Sequence, residues 1–443
     1  MTVVHATDDV GADDVSLSLE AETQAASRGI RIGLLGLGHV GAAVARRALS
    51  PHGSVAHGFE ITAALVRDPS RRRDIRGVTV TKDTRSIFDS RPDVIVEALG
   101  GLEPARTLVL EALRHRIPVV TANKSLMARH YDEIVAAASH AGVALSFEAS
   151  VVAGVPFLGT FAKRPHASAI SSLLGIVNGT TNFILTAMTD AGRDYADVLA
   201  EAQRRGFAEP NPANDIRGID AAEKLAILIR QFAGRRVDVD AIETTGIEQI
   251  TAADIALARA LGGVVKPIVA ASGLASGGDS AIRAFVAPCF VPERHMLAAT
   301  ANAANAVCLL DVNGSRLTFS GPGAGPDVTA VTILDDVLEA IAAPASGTRS
   351  APSAPVETAP PDTSWFVQLS APSLPSGSDI ADLLGAHGVW AQRAAAITSP
   401  DGHDVRALLT YPSSRVRVER ALDALRRATG CSARTLRALE PCS

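Results

Sequence analysis

The segment from Ala202 to Lys224 holds the residue types and the spacing best suited to chemistry. It reads AQRRGFAEPNPANDIRGIDAAEK and places Glu209, Asp215, Asp220 and Lys224 around a turn rich in proline and glycine that leads into a helix. A buried lysine can shift its pKa and move a proton, whereas arginine stays charged in proteins. The chain has only five lysines among its 42 basic residues. A surface Asp220–Lys224 pair, worth about 0.2–0.5 kcal/mol, would leave the rest of the pattern unexplained.

Four further motifs follow apolar runs of the sequence. They read VEALGG at 96–101, VVTANK at 119–124, EASVVAGVP at 148–156 and GIVNGTTNFIL at 175–185. Open α/β sheets bind ligands at the carboxyl ends of their strands, so we expect these turns to share one crevice.

The sequence GLGHVG, between an apolar run and a helical pattern, predicts a dinucleotide site. Gly36 would make the tight turn, Gly38 would let the backbone approach a pyrophosphate, and Gly41 would allow close helix–strand packing. The N-terminus of the helix then offers unpaired N–H groups to the phosphates. The predicted cofactor contacts are Gly36, Leu37, Gly38, His39, Val40 and Gly41.

The end of the second predicted strand bears on the choice of cofactor. An acid here reads the ribose of NAD, but this chain continues with Arg67, Asp68 and the arginines at 71–73. Arginines suit a 2′-phosphate, so we expect NADP. Asp68 keeps NAD possible, and a solvated arginine-rich loop is the alternative interpretation.

Strand-like runs alternate with helical stretches such as Ala105–His115 and Tyr131–Ala141. The predicted fold class is therefore α/β, with a Rossmann-type doubly wound parallel sheet at 29–155, completed by about 320–342. Residues 156–319 predict an α+β catalytic and dimerisation domain. Residues 343–364 have the composition of a linker, and 365–440 fit a small βαββαβ module. Residues 1–28 are expected to form a disordered extension.

Composition excludes several classes of protein. The net charge of −5 gives no reason to expect binding to nucleic acid or to an anionic membrane. Residues 1–28 lack the apolar core of a secretory signal, and no run of about 20 apolar residues suggests a membrane span. The four cysteines form no CxxC or Cys/His pattern, which argues against a disulfide scaffold or a structural zinc site. We expect a cytoplasmic protein.

Together these motifs resemble those of homoserine dehydrogenases. The spacing from Ala202 to Lys224 is similar to that family's signature without a gap, and TANK and GIVNGTTNFIL are also family-like. The resemblance covers about residues 30–340. It implies NAD(P)-dependent interconversion of L-homoserine and L-aspartate 4-semialdehyde, a step toward threonine, methionine and isoleucine.

The resemblance also implies roles for single residues. Lys224 would be the proton donor and acceptor, and Lys124 a second essential amine beside substrate and nicotinamide. Glu209 and Asp220 would hold the amino acid, with Asp215 close by. Such roles agree with the chemistry, because hydride transfer to an aldehyde develops negative charge on oxygen and needs a cation and a proton source.

Two further contacts are implied by the resemblance. A monovalent cation, Na⁺, would bind Glu148 and the backbone carbonyls of Val151, Ala153 and Val155. Gly325, in GPGAG at 321–325, would return to the cofactor. For Glu148 the alternative is a loop carboxylate that accepts hydrogen bonds from backbone N–H groups.

Residues 365–440 resemble an ACT domain, which implies feedback inhibition by L-threonine. The alternative is a module that only supports assembly of a homodimer or homotetramer. Its first turn, APSLPSGSD at 371–379, lacks the acid followed by Pro-Gly that such domains carry.

The residues present disfavour two rival functions. Oxidation of the semialdehyde to an acyl phosphate needs a cysteine nucleophile beside a base, and no cysteine precedes Cys289. A non-catalytic nucleotide sensor would have lost the acids and lysines of the central segment, which this chain retains.

Overall fold

The computed structural model describes residues 29–50, 58–71, 73, 75, 77–162, 169–275, 281–323, 325–342, 363–399 and 402–440. The predicted N-terminal extension at 1–28 and nearly all of the predicted linker, 343–362, lie outside the described residues. No helix of the described part is long and apolar enough to cross a membrane.

The first domain is built on a six-stranded sheet in which every pair of neighbours is parallel. Its strands are β1 (Ile30–Leu35), β2 (Phe59–Leu65), β3 (Val80–Thr81), β4 (Val94–Glu97), β5 (Val119–Thr121) and β6 (Leu145–Ser146). Its helices are α1 (His39–Ala48), α2 (Thr84–Asp89), α3 (Ala105–Arg114) and α4 (Lys124–Ala141). The strand order β3-β2-β1-β4-β5-β6 is that of a doubly wound dinucleotide-binding fold, so the predicted fold class is confirmed.

The order of the strands reverses between β1 and β4, and a ligand crevice opens at such a switch point. Helix α11 (Pro326–Ala342) returns from later in the chain and packs against α1. Both contribute to one buried core, with Val44 and Ala48 of α1 beside Ile333 and Val337 of α11.

A second, ten-stranded sheet follows, and its first part is antiparallel around β9 and β10. The strands are β7 (Ile170–Ile176), β8 (Glu243–Thr244), β9 (Gly263–Ser272), β10 (Arg283–Pro292), β11 (Ala304–Asp311) and β12 (Arg316–Pro322). The helices are α5 (Leu158–Ala162), α6 (Gly179–Ala191), α7 (Tyr195–Arg204), α8 (Ala213–Ile216), α9 (Ile219–Ala233) and α10 (Ala252–Ala260). Helix α9 packs against α4, which brings this domain against the first.

The C-terminal residues have the predicted order βαββαβ. The elements are β13 (Ser364–Ala371), α12 (Gly377–Gly385), β14 (Ala391–Thr398), β15 (Asp404–Thr410), α13 (Arg415–Thr429) and β16 (Ser432–Ala438). One face of this four-stranded part packs against α12 and α13, and the other packs against α10. The last strand pairs in parallel with β10, so the module continues the second sheet.

Candidate active site

The glycine turn after β1 has the geometry that the sequence predicts. Gly36 has φ of +100°, and a Cβ there would lie 2.6 Å from the carbonyl oxygen of Ala98. A Cβ on Gly41 would lie 2.1 Å from the carbonyl oxygen of Gly36. A Cβ on Gly38 would meet no atom of the described protein within 4 Å. Gly36 and Gly41 are therefore required by internal packing, whereas open space at Gly38 fits the close approach of a dinucleotide phosphate.

The turn after β2 already engages the carboxylate of Asp68. Its Oδ1 accepts hydrogen bonds from the hydroxyl of Ser70 at 2.6 Å and from the backbone N–H of Ser70 at 2.9 Å. These bonds, the hydroxyl first, lower the pKa of Asp68. Arg67 is exposed at the same edge, and the guanidinium of Arg73 donates to the carbonyls of Asp68 and Arg71.

Asp220 lies between the two predicted catalytic lysines. Its Oδ2 is 2.9 Å from Nζ of Lys224, one helical turn along α9, and its Oδ1 is 3.2 Å from Nζ of Lys124 at the start of α4. Nζ of Lys224 also donates to the carbonyl of Val177 at 2.8 Å. Only 12% of the Lys224 side chain is exposed, against 38% of Lys124. The structure thus brings together three of the predicted residues from two domains.

The lysines decide the charge of Asp220. Its burial favours the neutral acid, but Lys224 and Lys124, helped by hydrogen bonds from Asn178 and Lys224, lower its pKa to about 2. In turn, the negative charge of Asp220 is the main cause that raises the pKa of Lys124. The cluster therefore holds a buried carboxylate anion between the side-chain amines of two lysines.

Asn178, which the sequence interpretation did not single out, joins the two aspartates. Its Nδ2 donates to Oδ1 of Asp215 and to Oδ2 of Asp220, both at 2.8 Å. Its Oδ1 accepts from the backbone N–H of Thr181 and so caps the N-terminus of α6. Burial, followed by the charge of Asp220, raises the pKa of Asp215. An Asn before Gly-Thr-Thr at a helix start was the available signal for this cap.

Glu223 is a third acid that sequence reasoning missed. It is buried, its Oε2 accepts from the hydroxyl of Ser125 at 2.8 Å, and burial raises its pKa. Because Ser125 follows Lys124 in α4, this bond ties the helix that carries one lysine to the helix that carries the other.

Glu209 is not brought into the cluster. It is exposed on the loop between α7 and α8, where its backbone carbonyl accepts from Nε2 of Gln203 at 3.3 Å. The same loop is fixed by the hydroxyl of Thr180, which donates to the carbonyl of Phe207 at 2.7 Å. Among the hydrogen bonds and ion pairs of the described residues, none joins the Glu209 carboxylate to Asp215, Asp220 or the lysines.

The predicted cation ligands lie near the crossing from the first domain to the second. The Glu148 carboxylate accepts from the backbone N–H groups of Phe157, Leu158 and Gly159 at 2.7–2.8 Å. This is the arrangement given above as the alternative to a cation ligand. The other predicted ligands are all buried: Val151, Ala153 and Val155. Among described residues, no group of three or more His, Cys, Asp or Glu could hold a metal ion.

A buried acid from α11 lies beside this segment. Burial, and then the charges of Glu148 and Glu339, raise the pKa of Asp336 well above its usual value. Its Oδ2 is buried and has no hydrogen-bond partner among the described atoms. The hydroxyl of Thr332 donates to the carbonyl of Ala153.

Gly325 immediately precedes α11 and has φ of +133°, a conformation that favours glycine. Its neighbour Gly323 is held by the second sheet, since its N–H donates to the carbonyl of Ala303 and its carbonyl accepts from Nδ2 of Asn305, both at 2.9 Å. This return segment therefore connects the second sheet to the dinucleotide-binding domain.

A doubly wound sheet with a glycine turn at its switch point, together with a Lys–Asp–Lys cluster where α4 meets α9, is typical of a nicotinamide-dependent oxidoreductase. Residues 36–148 match the sequence model of the homoserine dehydrogenase NAD-binding domain, and residues 156–338 match that of homoserine dehydrogenase. The chain belongs to the homoserine dehydrogenase family, NAD(P)-dependent oxidoreductases that act on a CH–OH group.

Three relatives illustrate the similarity. Homoserine dehydrogenase of Bacillus subtilis is 39% identical over 318 residues, covering 70% of this chain and 72% of the relative. The crystal structure of a homoserine dehydrogenase from Thiobacillus denitrificans aligns with a TM-score of 0.80 and 31% identity, over 94% of this chain and 99% of that one. A hyperthermophilic archaeal homoserine dehydrogenase in complex with NADPH aligns with a TM-score of 0.59 and 25% identity, over 71% of this chain and 98% of that one.

Proposed function

We propose that the protein interconverts L-homoserine and L-aspartate 4-semialdehyde with NADP, and that Lys224 moves the proton at the substrate's C4 oxygen. The observation that carries this proposal is the bridge of Asp220 between Lys224 and Lys124. When bound in the crevice, the nicotinamide supplies or accepts the hydride. The protein's own groups supply the charge and the proton that the oxygen requires.

Lys224 is held in a way that suits this role. Its bonds to Asp220 and to the carbonyl of Val177 use two of the three N–H donors of an ammonium group. The third donor can point at a substrate oxygen. Lys124 is more exposed, and its position at the carboxyl end of β5 faces the crevice, so it can stabilise negative charge on the same oxygen.

The balance of charge favours a substrate that brings an ammonium group. Asp215, Asp220 and Glu223 surround Lys124 and Lys224, which is three acids against two amines. Asp215 has no lysine of its own at ion-pair distance within the described part, and its pKa is raised by burial. A substrate ammonium beside Asp215 and Asp220 would compensate both acids. We further propose that Glu209 reaches this ammonium from its loop.

NADP is the proposed cofactor because of the surroundings of the two residues that could recognise the ribose, Asp68 and Arg67. Asp68, which would read the ribose of NAD, is committed to Ser70, whereas Arg67 is exposed at the end of β2. Arginine at this place suits a 2′-phosphate. The archaeal relative noted above was solved with NADPH, which supports the same choice.

A sodium ion beside Glu148 is also part of the proposal. The residues fit a hard cation, because Oε2 of Glu148 accepts only one described N–H and Oδ2 of Asp336 has no hydrogen-bond partner. Carbonyl and carboxylate oxygens are the ligands that such an ion takes, and Val151, Ala153 and Val155 would supply the carbonyls. The ion would compensate buried negative charge near the domain crossing.

For the C-terminal module we propose an ACT-like role with L-threonine as effector, and support of a homodimer or homotetramer as the alternative role. The βαββαβ order supports the likeness. We also propose that the enzyme works in the cytoplasm, in threonine, methionine and isoleucine synthesis.

The test is L-homoserine-dependent reduction of NADP and of NAD by the purified protein, with Lys224→Ala assayed beside it. Lys82→Ala is the matched control, because Lys82 is exposed in the first domain. We expect turnover in wild type and control, and none in Lys224→Ala although it still binds NADPH. Absence of turnover in the wild type with either cofactor would refute the proposed function.

A further inference from the structure

Glu97 is a buried carboxylate for which the mechanism above has no use. It is the last residue of β4, next to the switch point of the first sheet, and it is fully buried. In the described part of the chain no lysine or arginine forms an ion pair with it. A carboxylate buried without a cation is costly unless hydrogen bonds compensate its charge.

Four donors converge on this carboxylate from two segments, 99–100 and 121–123. Oε2 accepts from the hydroxyl of Thr121 at 2.5 Å, and Oε1 accepts from the backbone N–H of Leu99 at 2.8 Å. Two longer bonds, at 3.4 Å, come to Oε1 from the N–H of Gly100 and from Nδ2 of Asn123. Burial is the main cause that raises the pKa of Glu97, while these donors oppose it.

One side of the network leads to Lys124. The hydroxyl of Thr121, which donates to Glu97, accepts from the backbone N–H of Asn123 at 3.0 Å. Asn123 is the N-cap of α4: its Oδ1 accepts from the N–H of Leu126 at 3.1 Å, and its Nδ2 donates to the carbonyl of Gly101 at 2.7 Å. Lys124 is the first residue of that helix, so the cap fixes where its side chain begins.

The other side leads to the dinucleotide turn. The backbone of Ala98 and Leu99 packs so closely on Gly36 that a Cβ there would lie 2.6 Å from the Ala98 oxygen and 3.0 Å from the Leu99 nitrogen. The N–H of Leu99 is the donor that approaches Oε1 of Glu97 most closely. One carboxylate therefore holds both the loop beside the cofactor turn and the cap of the helix that carries an active-site amine.

We propose that Glu97 is a positioning residue that sets the amine of Lys124 relative to the dinucleotide turn, acting through Thr121 and Asn123. The inference rests on the proposed function, since it concerns the geometry of the same reaction. Its physical basis is that one carboxylate accepts from Thr121 with one oxygen and from Leu99 with the other, and so holds both segments at once.

Glu97→Gln separates the two sides of the network. Its single amide oxygen is expected to stay with the N–H groups of Leu99 and Gly100, and its NH₂ would then face the Thr121 hydroxyl without accepting from it. The charge-assisted bond from Thr121 is lost, and only neutral hydrogen bonds remain between residue 97 and the segment before Lys124, while the loop beside the cofactor keeps its partner. Thr121→Val removes the same bond from the other end, and Thr121→Ser keeps the hydroxyl.

Steady-state kinetics, NADPH binding by fluorescence and thermal unfolding test the proposal in the full-length protein. In Glu97→Gln and in Thr121→Val we expect kcat to fall about 10–100-fold, as for other losses of positioning. The Kd for NADPH should change less than about threefold, and the double variant should be no worse than either single variant, because both remove the same bond. Thr121→Ser should recover most of kcat.

The control is Asp83→Asn, which replaces an exposed carboxylate that accepts from the N–H of Arg85 and caps α2 in the same domain. It should leave kcat unchanged. The proposal is overturned if kcat of Thr121→Val stays within about twofold of the wild type, a change too small for lost positioning. It is equally overturned if kcat, NADPH affinity and the unfolding midpoint all fall together, as a merely structural role would give. If the wild type turns over and Lys224→Ala does not, the proposed function stands whatever the Glu97 and Thr121 variants show.

Discussion

Replacement of Asp220 by Asn should damage both the stability and the chemistry of the site, whereas the same change at Asp215 should damage stability little. Both acids accept a hydrogen bond from the amide of Asn178 at 2.8 Å; Asp220 is buried and Asp215 is half-buried. Their pKa values are nevertheless shifted in opposite directions, because only Asp220 lies between two lysines. The pair is therefore a matched comparison of an ionised and a neutral-favouring carboxyl group in one network.

The magnitude follows from the pKa of Asp220. A fall from 3.8 in the unfolded chain to about 2 in the folded protein corresponds to about 2 kcal/mol of stability at neutral pH. Because the folded pKa is lowered, this contribution is complete above about pH 4 and is lost as the pH falls toward 2. In Asp220→Asn the ammonium of Lys224 is also left largely buried without its partner, so the total loss should reach about 3–5 kcal/mol.

For Asp215 the pKa shift on folding has the opposite sign. Burial and the charge of Asp220 raise its folded pKa, so folding favours the neutral form. An asparagine carries no charge to bury and can still accept from Asn178. We expect the free energy of unfolding of Asp215→Asn to lie within about 1 kcal/mol of the wild type at neutral pH.

Urea unfolding at pH 7 and at several values between pH 4 and pH 2, followed by circular dichroism, measures these differences. The difference in the free energy of unfolding between wild type and Asp220→Asn should decrease as the pH falls from 4 to 2. Homoserine oxidation by Asp220→Asn should fall about 100-fold or more, because the anion that fixes both amines is missing. Equal destabilisation by the two substitutions, or a loss below 1 kcal/mol in Asp220→Asn, would refute the reasoning.

Three further predictions concern the cofactor and the C-terminal module. Gly38→Ala should raise the Kd for NADPH at least about tenfold and leave the unfolding midpoint unchanged, since a Cβ there meets no described atom; a lowered midpoint would contradict this. Arg67→Ala should raise the KM for NADP about tenfold with little effect on the KM for NAD; a parallel rise in both would assign the arginine another role. Arg434 donates to the carbonyl of Gln249 and lies 3.3 Å from Asp254 in α10. Arg434→Ala should therefore reduce the free energy of unfolding by about 1–2 kcal/mol, whereas Arg420→Ala, at an exposed residue of α13, should not. Equal effects of the two substitutions in urea titrations would show that Arg434 does not fasten the module to α10.

The dinucleotide-binding half could be predicted because its signals are local. The glycine spacing, the apolar runs and the alternation of strand and helix lie within short stretches of sequence, and the structure follows them. Even here the start of α4 differs from the helical pattern, which begins at Tyr131. In the structure this pattern matches the part of α4 that follows a break in the helical backbone angles at His130, and a first part, capped by the side chain of Asn123, runs from Lys124. A cap is a single residue and leaves no periodicity to detect.

The connections within the site could not be predicted in the same way. The side chain of Asn178 meets acids 37 and 42 residues further along the chain, and Glu97 meets Thr121 from the neighbouring strand. Such contacts depend on which loops the fold brings together. The exposure of Glu209 and the backbone hydrogen bonds of Glu148 also depend on loop conformation, so their predicted roles in substrate and cation binding stay predictions.

The attachment of the C-terminal module limits how it can affect the site. The order of its strands and helices could be predicted from the sequence. The pairing of β16 with β10 could not, because it joins segments more than a hundred residues apart. Phe366, Val405 and Leu409 on one face of the module share a buried core with α10 and with Phe183 and Met188 of α6. The same helix α6 begins at Asn178, which orders Asp215 and Asp220.

A ligand can shift a conformational equilibrium only if it binds the two conformations with different affinity. Coupling between two sites also needs packed elements between them that can adopt both conformations. The shared core supplies such a contact between the module and α6. The module covers a face of the catalytic core. Effector control, if threonine binds, should therefore appear as a change in the geometry of Asn178 and the two aspartates, and hence chiefly in kcat.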